Sequence, residues 1–101
     1  MRVKQFTNRR LLDLAHALNQ CTGCGKYSEH GLEPAHSNQS RHGKGMSLKA
    51  HDCFHAALCH ECHVWLDQGP APREEKIAFW QDAFEQTLLI YFQNGWLAAG
   101  R

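Results

Sequence analysis

The chain has 101 residues, 43% of them apolar, and a formal net charge of +1 from 11 Lys+Arg against 10 Asp+Glu. A chain of this size supports one domain with a modest core, and its near-neutral balance excludes a nucleic-acid-binding reading based on bulk charge alone, so the placement of residues must carry any such argument. No stretch approaches the length of a membrane span, and Met1–Phe6 carries no apolar signal segment. The expectation is a reducing cytoplasm, with the five cysteines present as thiols or metal-bound thiolates and not as disulfides.

From Asn8 to about Gln20 the residues Leu11, Leu12, Ala15 and Leu18 recur at helical spacing, with Thr7 or Asn8 in position to cap, which predicts an N-terminal helix. Residues 21–35 hold Cys21-Thr-Gly-Cys24, further glycine and Pro34, the pattern of a metal knuckle followed by a short strand that ends near His36. Ser37 to His51 has no period and carries Gly43, Gly45, Arg41, Lys44 and Lys49. It predicts a long exposed loop, and long loops in small domains are commonly functional. Phe54 to Cys59 is a short apolar strand that runs into Cys59-His-Glu-Cys62, after which a helix is predicted from His60 to Leu66, stopped by Gln68-Gly69-Pro70. A separate C-terminal helix starts with Pro72 in its first turn and Glu74-Glu75 at the positive end of its dipole. Ile77, Trp80, Phe84, Leu88 and Tyr91 form its inward stripe, widened by Phe79, Ala83 and Ile90, and Asn94-Gly95 ends it. The predicted organisation is a single domain with an N-terminal helix over 1–20, knuckles and a central unit over 21–69, and a C-terminal helix over 70–101.

Two CxxC pairs, Cys21/Cys24 and Cys59/Cys62, are the ligand set of a tetrahedral zinc site, closed to substrate and structural in role. A plain zinc ribbon separates its pairs by roughly 15–20 residues, whereas 34 residues lie between Cys24 and Cys59 here. Function is expected in that insertion. Eight histidines are present, seven of them between positions 30 and 63. His63 and Asp67 stand at i, i+4 on one helix face, able to hold a second divalent ion; the plainer alternative is a surface His–Asp pair. Pairing of residues 33–36 with 54–58 brings His36 over the start of that helix as a third member, against the alternative of a solvent-facing histidine. A divalent ion beside an imidazole is what phosphodiester hydrolysis requires, since the ion polarises the phosphate and a neutral histidine takes a proton from water. Gly43-Lys44-Gly45, flanked by Arg41 and Lys49, offers backbone N–H groups and cations to a phosphate, or is simply a solvated loop. His60 is expected to be exposed, His51 and His55 to support the site from beside Asp52, and Cys53 to be a small buried residue. The C-terminal aromatics, Trp80 and Trp96 included, read as core.

These residues resemble a known family. Ala35-His36 at a strand end, a loop, a second strand, and Cys59-His60-Glu61-Cys62-His63 with Asp67 four residues on resemble the HNH, or ββα-metal, endonucleases. More closely, Ala35-His36-Ser37-Asn38, His42-Gly43-Lys44-Gly45-Met46, Lys49-Ala50-His51-Asp52 and Asp67-Gln68-Gly69 are similar to the small HNH-like nucleases of phages and prophages. The similarity covers nearly the whole chain. It implies an α+β, zinc-stabilised, treble-clef-like ββα core that cuts DNA with a divalent ion, in phage replication or recombination. His63 and Asp67 match the helix ligands and His36 the strand-end histidine. Ala35 and Ser37 flank His36 where many members carry a second functional residue, so His36 is either the general base or a metal ligand. The family's middle Asn is absent from its usual place. Asp52 to His55 stand there instead, and Asn38 does not match it by spacing. Asp52 either orients the base or touches the metal.

The resulting expectation is a metal-dependent DNA endonuclease. Cys21, Cys24, Cys59 and Cys62 hold a structural Zn²⁺; His36, His63 and Asp67 hold a catalytic Mg²⁺, Mn²⁺ or Zn²⁺; His36, Asp52 and His63 are catalytic; Arg41, Lys44 and Lys49 meet phosphate. DNA is the expected partner, with phage or host recombination proteins in addition, no membrane, and an oligomeric state left open. The alternative is a non-catalytic zinc module that binds nucleic acid or protein.

Overall fold

The computed structural model describes residues 3–100. Its elements are α1 (Arg9–Asp13), a 3-10 helix over Leu14–Ala17, β1 (Glu33–His36), a 3-10 turn over Ser40–His42, β2 (His55–Leu58), α2 (His60–Gln68) and α3 (Arg73–Gln93). This is an α+β arrangement with one two-stranded antiparallel sheet and a four-cysteine cluster. Among the described residues no helix is long and apolar enough to cross a membrane.

The N-terminal helix is capped as expected, with the Asn8 side chain accepting from the Leu11 N–H, but it is shorter than its apolar spacing predicts. After Asp13 it tightens into 3-10 geometry and ends at Ala17. The reason is that the Ala15 carbonyl accepts from Leu18 N at 3.2 Å and from Leu32 N at 3.3 Å, so the turn is used to dock the segment leading into β1. Gly31, at φ +91°, lies against the His16 carbonyl, where a side chain has no room.

β1 and β2 pair in the register Glu33↔Leu58, Pro34↔Ala57, Ala35↔Ala56 and His36↔His55. Every residue of β2 is buried, and its alanines let α3 lie close across the sheet. Leu32 and Leu58 are fully buried, worth roughly 1.5–3 kcal/mol each. Trp80, 2% exposed, donates from Nε1 to the Ala35 carbonyl at 2.9 Å, pinning α3 to β1. The edge of β2 away from β1 is closed by hydroxyls. Thr87 Oγ1 accepts from Ala57 N at 3.0 Å while donating to Ala83 O at 2.8 Å, and Thr22 Oγ1 donates to Ala57 O at 2.8 Å.

The α3 stripe is centred one residue away from the predicted line. Trp80, Ala83, Thr87 and Tyr91 are the buried set, and Leu88 is 38% exposed, because Thr87 takes the inward position to satisfy the β2 edge. One further expectation is corrected. Cys53 is exposed, since the turn before β2 directs Asp52 and His55 inward and leaves Cys53 outside. The segment from Ser37 to His51 is a loop, exposed over Met46–Lys49 as expected, and it is anchored at its start: Ser37 and Gln39 are buried, Ser37 Oγ lies 2.6 Å from His42 Nδ1, and the His42 ring stacks on Phe54 at 4.4 Å between centroids.

Candidate metal centre and adjoining cleft

The first knuckle and the turn from β2 into α2 bring four sulfurs together. The Sγ atoms of Cys21, Cys24, Cys59 and Cys62 all lie within 4.8 Å of one another, with Cys24 and Cys59 3.8 Å apart. A tetrahedral ion with Zn–S bonds of about 2.3 Å requires sulfurs about 3.8 Å apart, so the set fits zinc. Backbone N–H groups of Gly23, Cys24 and Cys59 point at Cys21 Sγ at 3.3–3.4 Å. Burial opposes ionisation of Cys21, but these N–H groups outweigh it and bring the thiol down to about 7. Burial pushes Cys59 and Cys62 up, and the crowded sulfurs add to the effect. A cluster of thiols that cannot all ionise unaided is one that a divalent ion stabilises strongly.

His63 follows Cys62 directly, so the knuckle sets the phase of α2. Its Nδ1 lies 2.8 Å from Glu33 Oε1 on β1, and its Nε2 lies 3.4 Å from Asp67 Oδ2 one turn along the helix. The Glu33 carboxylate also reaches His60 Nδ1 at 3.0 Å. Burial disfavours the charge on Glu33, yet the hydrogen bonds from His63 and His60 prevail and hold its carboxyl below the usual range. An ionised Glu33 accepts the His63 Nδ1 proton and so turns Nε2 toward Asp67. Two ligand atoms each about 2.1 Å from one ion lie roughly 3.0–3.4 Å apart, so His63 and Asp67 fit as neighbouring ligands. Asn38 donates from Nδ2 to Asp67 Oδ1 at 3.0 Å and fixes the carboxylate with its other oxygen toward His63.

His36 ends β1 with Nε2 2.8 Å from Asp52 Oδ1, and Asp52 Oδ2 accepts the Asn8 N–H at 2.6 Å. Burial works against the Asp52 charge, but the bonds from His36 and Asn8 outweigh it and keep the carboxyl below its ordinary value. The carboxylate accepts, so Nε2 carries the proton and Nδ1 of His36 is left free to take one.

The chain matches no known protein family, curated protein or solved structure. Its chemistry is therefore read from its own residues. His36, His63, Asp67, Lys44 and Lys49 line a single cleft of about 510 Å³. Asp52 stands behind His36, and Arg41 is exposed and not among the cleft-lining residues. Arg9 lines the cleft, paired with Asp13 at 3.3 Å. Among the described residues the cysteine quartet is the only group of three or more His, Cys, Asp or Glu side chains with ligand atoms within 4.8 Å. His36 thus shares the cleft with His63 and Asp67 without forming a three-ligand cluster with them.

His16 lines the same cleft, whereas two other histidines are engaged elsewhere. His51 Nδ1 accepts from Phe6 N at 2.9 Å. His55 is buried with Nδ1 2.7 Å from the Asp52 carbonyl and Nε2 2.9 Å from the Tyr91 hydroxyl, and so does not face the cleft. Lys44 is carried to the cleft by Gly43, at φ +94°, where an added Cβ would meet the His51 ring at 2.8 Å. Glu33 and Asn38 are not singled out as site residues by the sequence pattern. The cross-strand partner of Leu58 is Glu33, and that register is the signal that points to it.

Proposed function

We propose that the chain is a metal-dependent endonuclease of DNA, built as a treble-clef-like ββα unit on the four-cysteine site. The observation that carries this reading is the convergence in one cleft of an oriented histidine, an adjacent His–Asp ligand pair and two lysines. The resemblance to the small phage and prophage HNH-like nucleases supports it and extends the proposal to phage replication or recombination.

In this reading His63 and Asp67 hold the catalytic ion, with Glu33 and Asn38 fixing their orientation. The ion, when bound, supplies positive charge to the scissile phosphate and the leaving oxygen. Lys44 and Lys49 draw the phosphate into the cleft. His36, with Nε2 committed to Asp52, uses Nδ1 to take a proton from the attacking water, and Asp52 stabilises the imidazolium that forms. His36 acts as the base, so only His63 and Asp67 would hold the ion. The cysteine zinc has no open position and serves as scaffold.

A second reading is a zinc-binding module without catalysis, favoured by the fact that the one preassembled ligand cluster among the described residues is the cysteine quartet. Cleavage of supercoiled, linear and single-stranded DNA with Mg²⁺ or Mn²⁺ separates the two. Cleavage abolished by His63→Ala and by His36→Ala supports the nuclease; no cleavage with any ion, or cleavage indifferent to both substitutions, leaves the module.

A further inference from the structure

The metal cleft has a neighbour. On the other side of the Asn38–Asp67 hydrogen bond lies a second cleft of about 440 Å³ that shares Asn38, Lys44 and Asp67 with the first. Its walls are of two kinds. Lys44 from the loop and Arg73 and Lys76 from the first turn of α3 supply three cations, while Leu66, Ile77 and Trp80 supply an apolar surface. Among the described residues none of the three cations forms a salt bridge; Arg9 and Lys26 are the lysine and arginine residues that do. Lys76 lies 5.9 Å from the Trp65 ring centroid, which holds its stem along α2. Asp67 is the one carboxylate of the lining, so three cations against it leave the cleft net positive in a chain whose overall charge is +1.

Charge and shape together define the ligand. Cations alone would suit the outside of a duplex, whose backbone presents phosphate and sugar and no apolar face. A hollow within the 300–1,000 Å³ range of small-molecule pockets, with one apolar side and a rim of cations, suits a nucleotide whose base has left its stack. We propose that this second cleft is a subsite for an unpaired nucleotide next to the phosphate held at His63 and Asp67, so that the protein engages a single strand in preference to intact duplex. The base enters against Ala71 and Ile77, with Leu66 and Trp80 forming the buried floor beneath them, and its phosphate meets Arg73 and Lys76. Lys44, common to both clefts, bridges the two sites. The proposal rests on the nuclease reading for its account of the adjoining phosphate, but its own evidence is the second cleft.

The test is binding, measured apart from cleavage. Zinc-loaded full-length protein is titrated against a short labelled single strand and its duplex by fluorescence anisotropy, with no Mg²⁺ or Mn²⁺ added. The expected result is tighter binding to the single strand, weakened at least tenfold in Arg73→Gln/Lys76→Gln but not in the control Lys4→Gln/Arg10→Gln. Loss of the one phosphate contact that these two cations share lowers the salt slope by about 0.7 for a single strand. Ala71→Phe, which fills the hollow without changing charge, should abolish the preference for single strand. Equal binding by the double variant and its control, a preference for duplex, or no effect of Ala71→Phe in a folded variant overturns the subsite. The two readings fail separately. Single-strand binding through this cleft without cleavage under any ion removes the nuclease and keeps the subsite. Cleavage that needs His63, with binding untouched by the cleft variants, does the reverse.

Discussion

His36 and Asp52 lie 16 positions apart and meet at 2.8 Å, a carboxylate on the Nε2 of the histidine that ends β1. The pairing fixes both the ring plane and the tautomer. It also explains why Asp52 is held ionised in a largely buried position by His36 and the Asn8 N–H.

Asp52→Asn keeps the shape and removes the charge that supports His36. DNA cleavage should fall about 10²–10⁴-fold, the usual contribution of a general base, while binding of DNA stays near native. Plasmid nicking paired with anisotropy checks this, and an Asp52→Asn protein that cuts at the native rate would remove Asp52 from the mechanism.

Glu33→Gln tests the orientation of His63. The amide accepts from His63 Nδ1 less strongly and so holds Nε2 less firmly toward Asp67. Affinity for the second ion should drop about 10–100-fold, read as a rightward shift in the Mn²⁺ dependence of cleavage or directly by calorimetry. An unchanged ion dependence would mean that Glu33 serves only to join β1 to α2.

Zinc should be present at one ion per chain by native mass spectrometry. Because four ligands from two distant segments converge, structural sites of this kind contribute about 10–16 kcal/mol of binding energy in zinc-finger peptides, and that energy is folding energy. Cys59→Ser, or removal of zinc by a strong chelator, should therefore abolish the cooperative melt followed by circular dichroism. A metal-free chain that melts as the native one does contradicts the assignment.

His55 gives a pH dependence with a definite sign. Burial lowers its pKa below the ordinary 6.5, so the folded state binds fewer protons than the unfolded one as pH falls beneath that value. Stability is fully present above pH about 6.5 and is lost on going lower, continuing until the folded state protonates too. Melting temperatures compared between native protein and His55→Asn from neutral to mildly acidic pH should show the steeper loss in the native protein. Parallel slopes would place the acid sensitivity in groups other than His55.

Thr87→Val removes a hydroxyl at nearly equal volume and leaves the buried Ala57 N–H without its partner at 3.0 Å. The cost expected for such an orphan is about 1–3 kcal/mol, measurable by urea unfolding, with no change in zinc content.

Much of this was legible from spacing. The two CxxC pairs, the strand leading to His36 and the i, i+4 pair on α2 are local patterns, and local geometry dictates them. What escaped the sequence depended on long-range register. Glu33 precedes a proline in a four-residue strand, and nothing nearby marks it; only the Glu33↔Leu58 pairing carries it over the first turn of α2. Arg41 is equivalent to Lys44 and Lys49 as a basic loop residue in the sequence, but the 3-10 turn at Ser40–His42, held by His42 against Phe54, separates it from the cleft. Leu88 lost its inward place to Thr87 because an unpaired strand edge outranks one more apolar contact. The N-terminal helix stopped early for a related reason, since the Ala15 carbonyl was claimed by Leu32.

The hydroxyls along β2 also bear on how copies of this protein behave toward one another. A two-stranded sheet ordinarily offers open edges on which a further strand can template, and that is a route to self-association. Here the Ala57 N–H and C=O on that edge are already occupied by Thr87 and Thr22, and α3 lies across the strand. A short, alanine-rich, fully buried strand that would otherwise invite aggregation is made unavailable to neighbours by two side chains drawn from the first knuckle and the last helix.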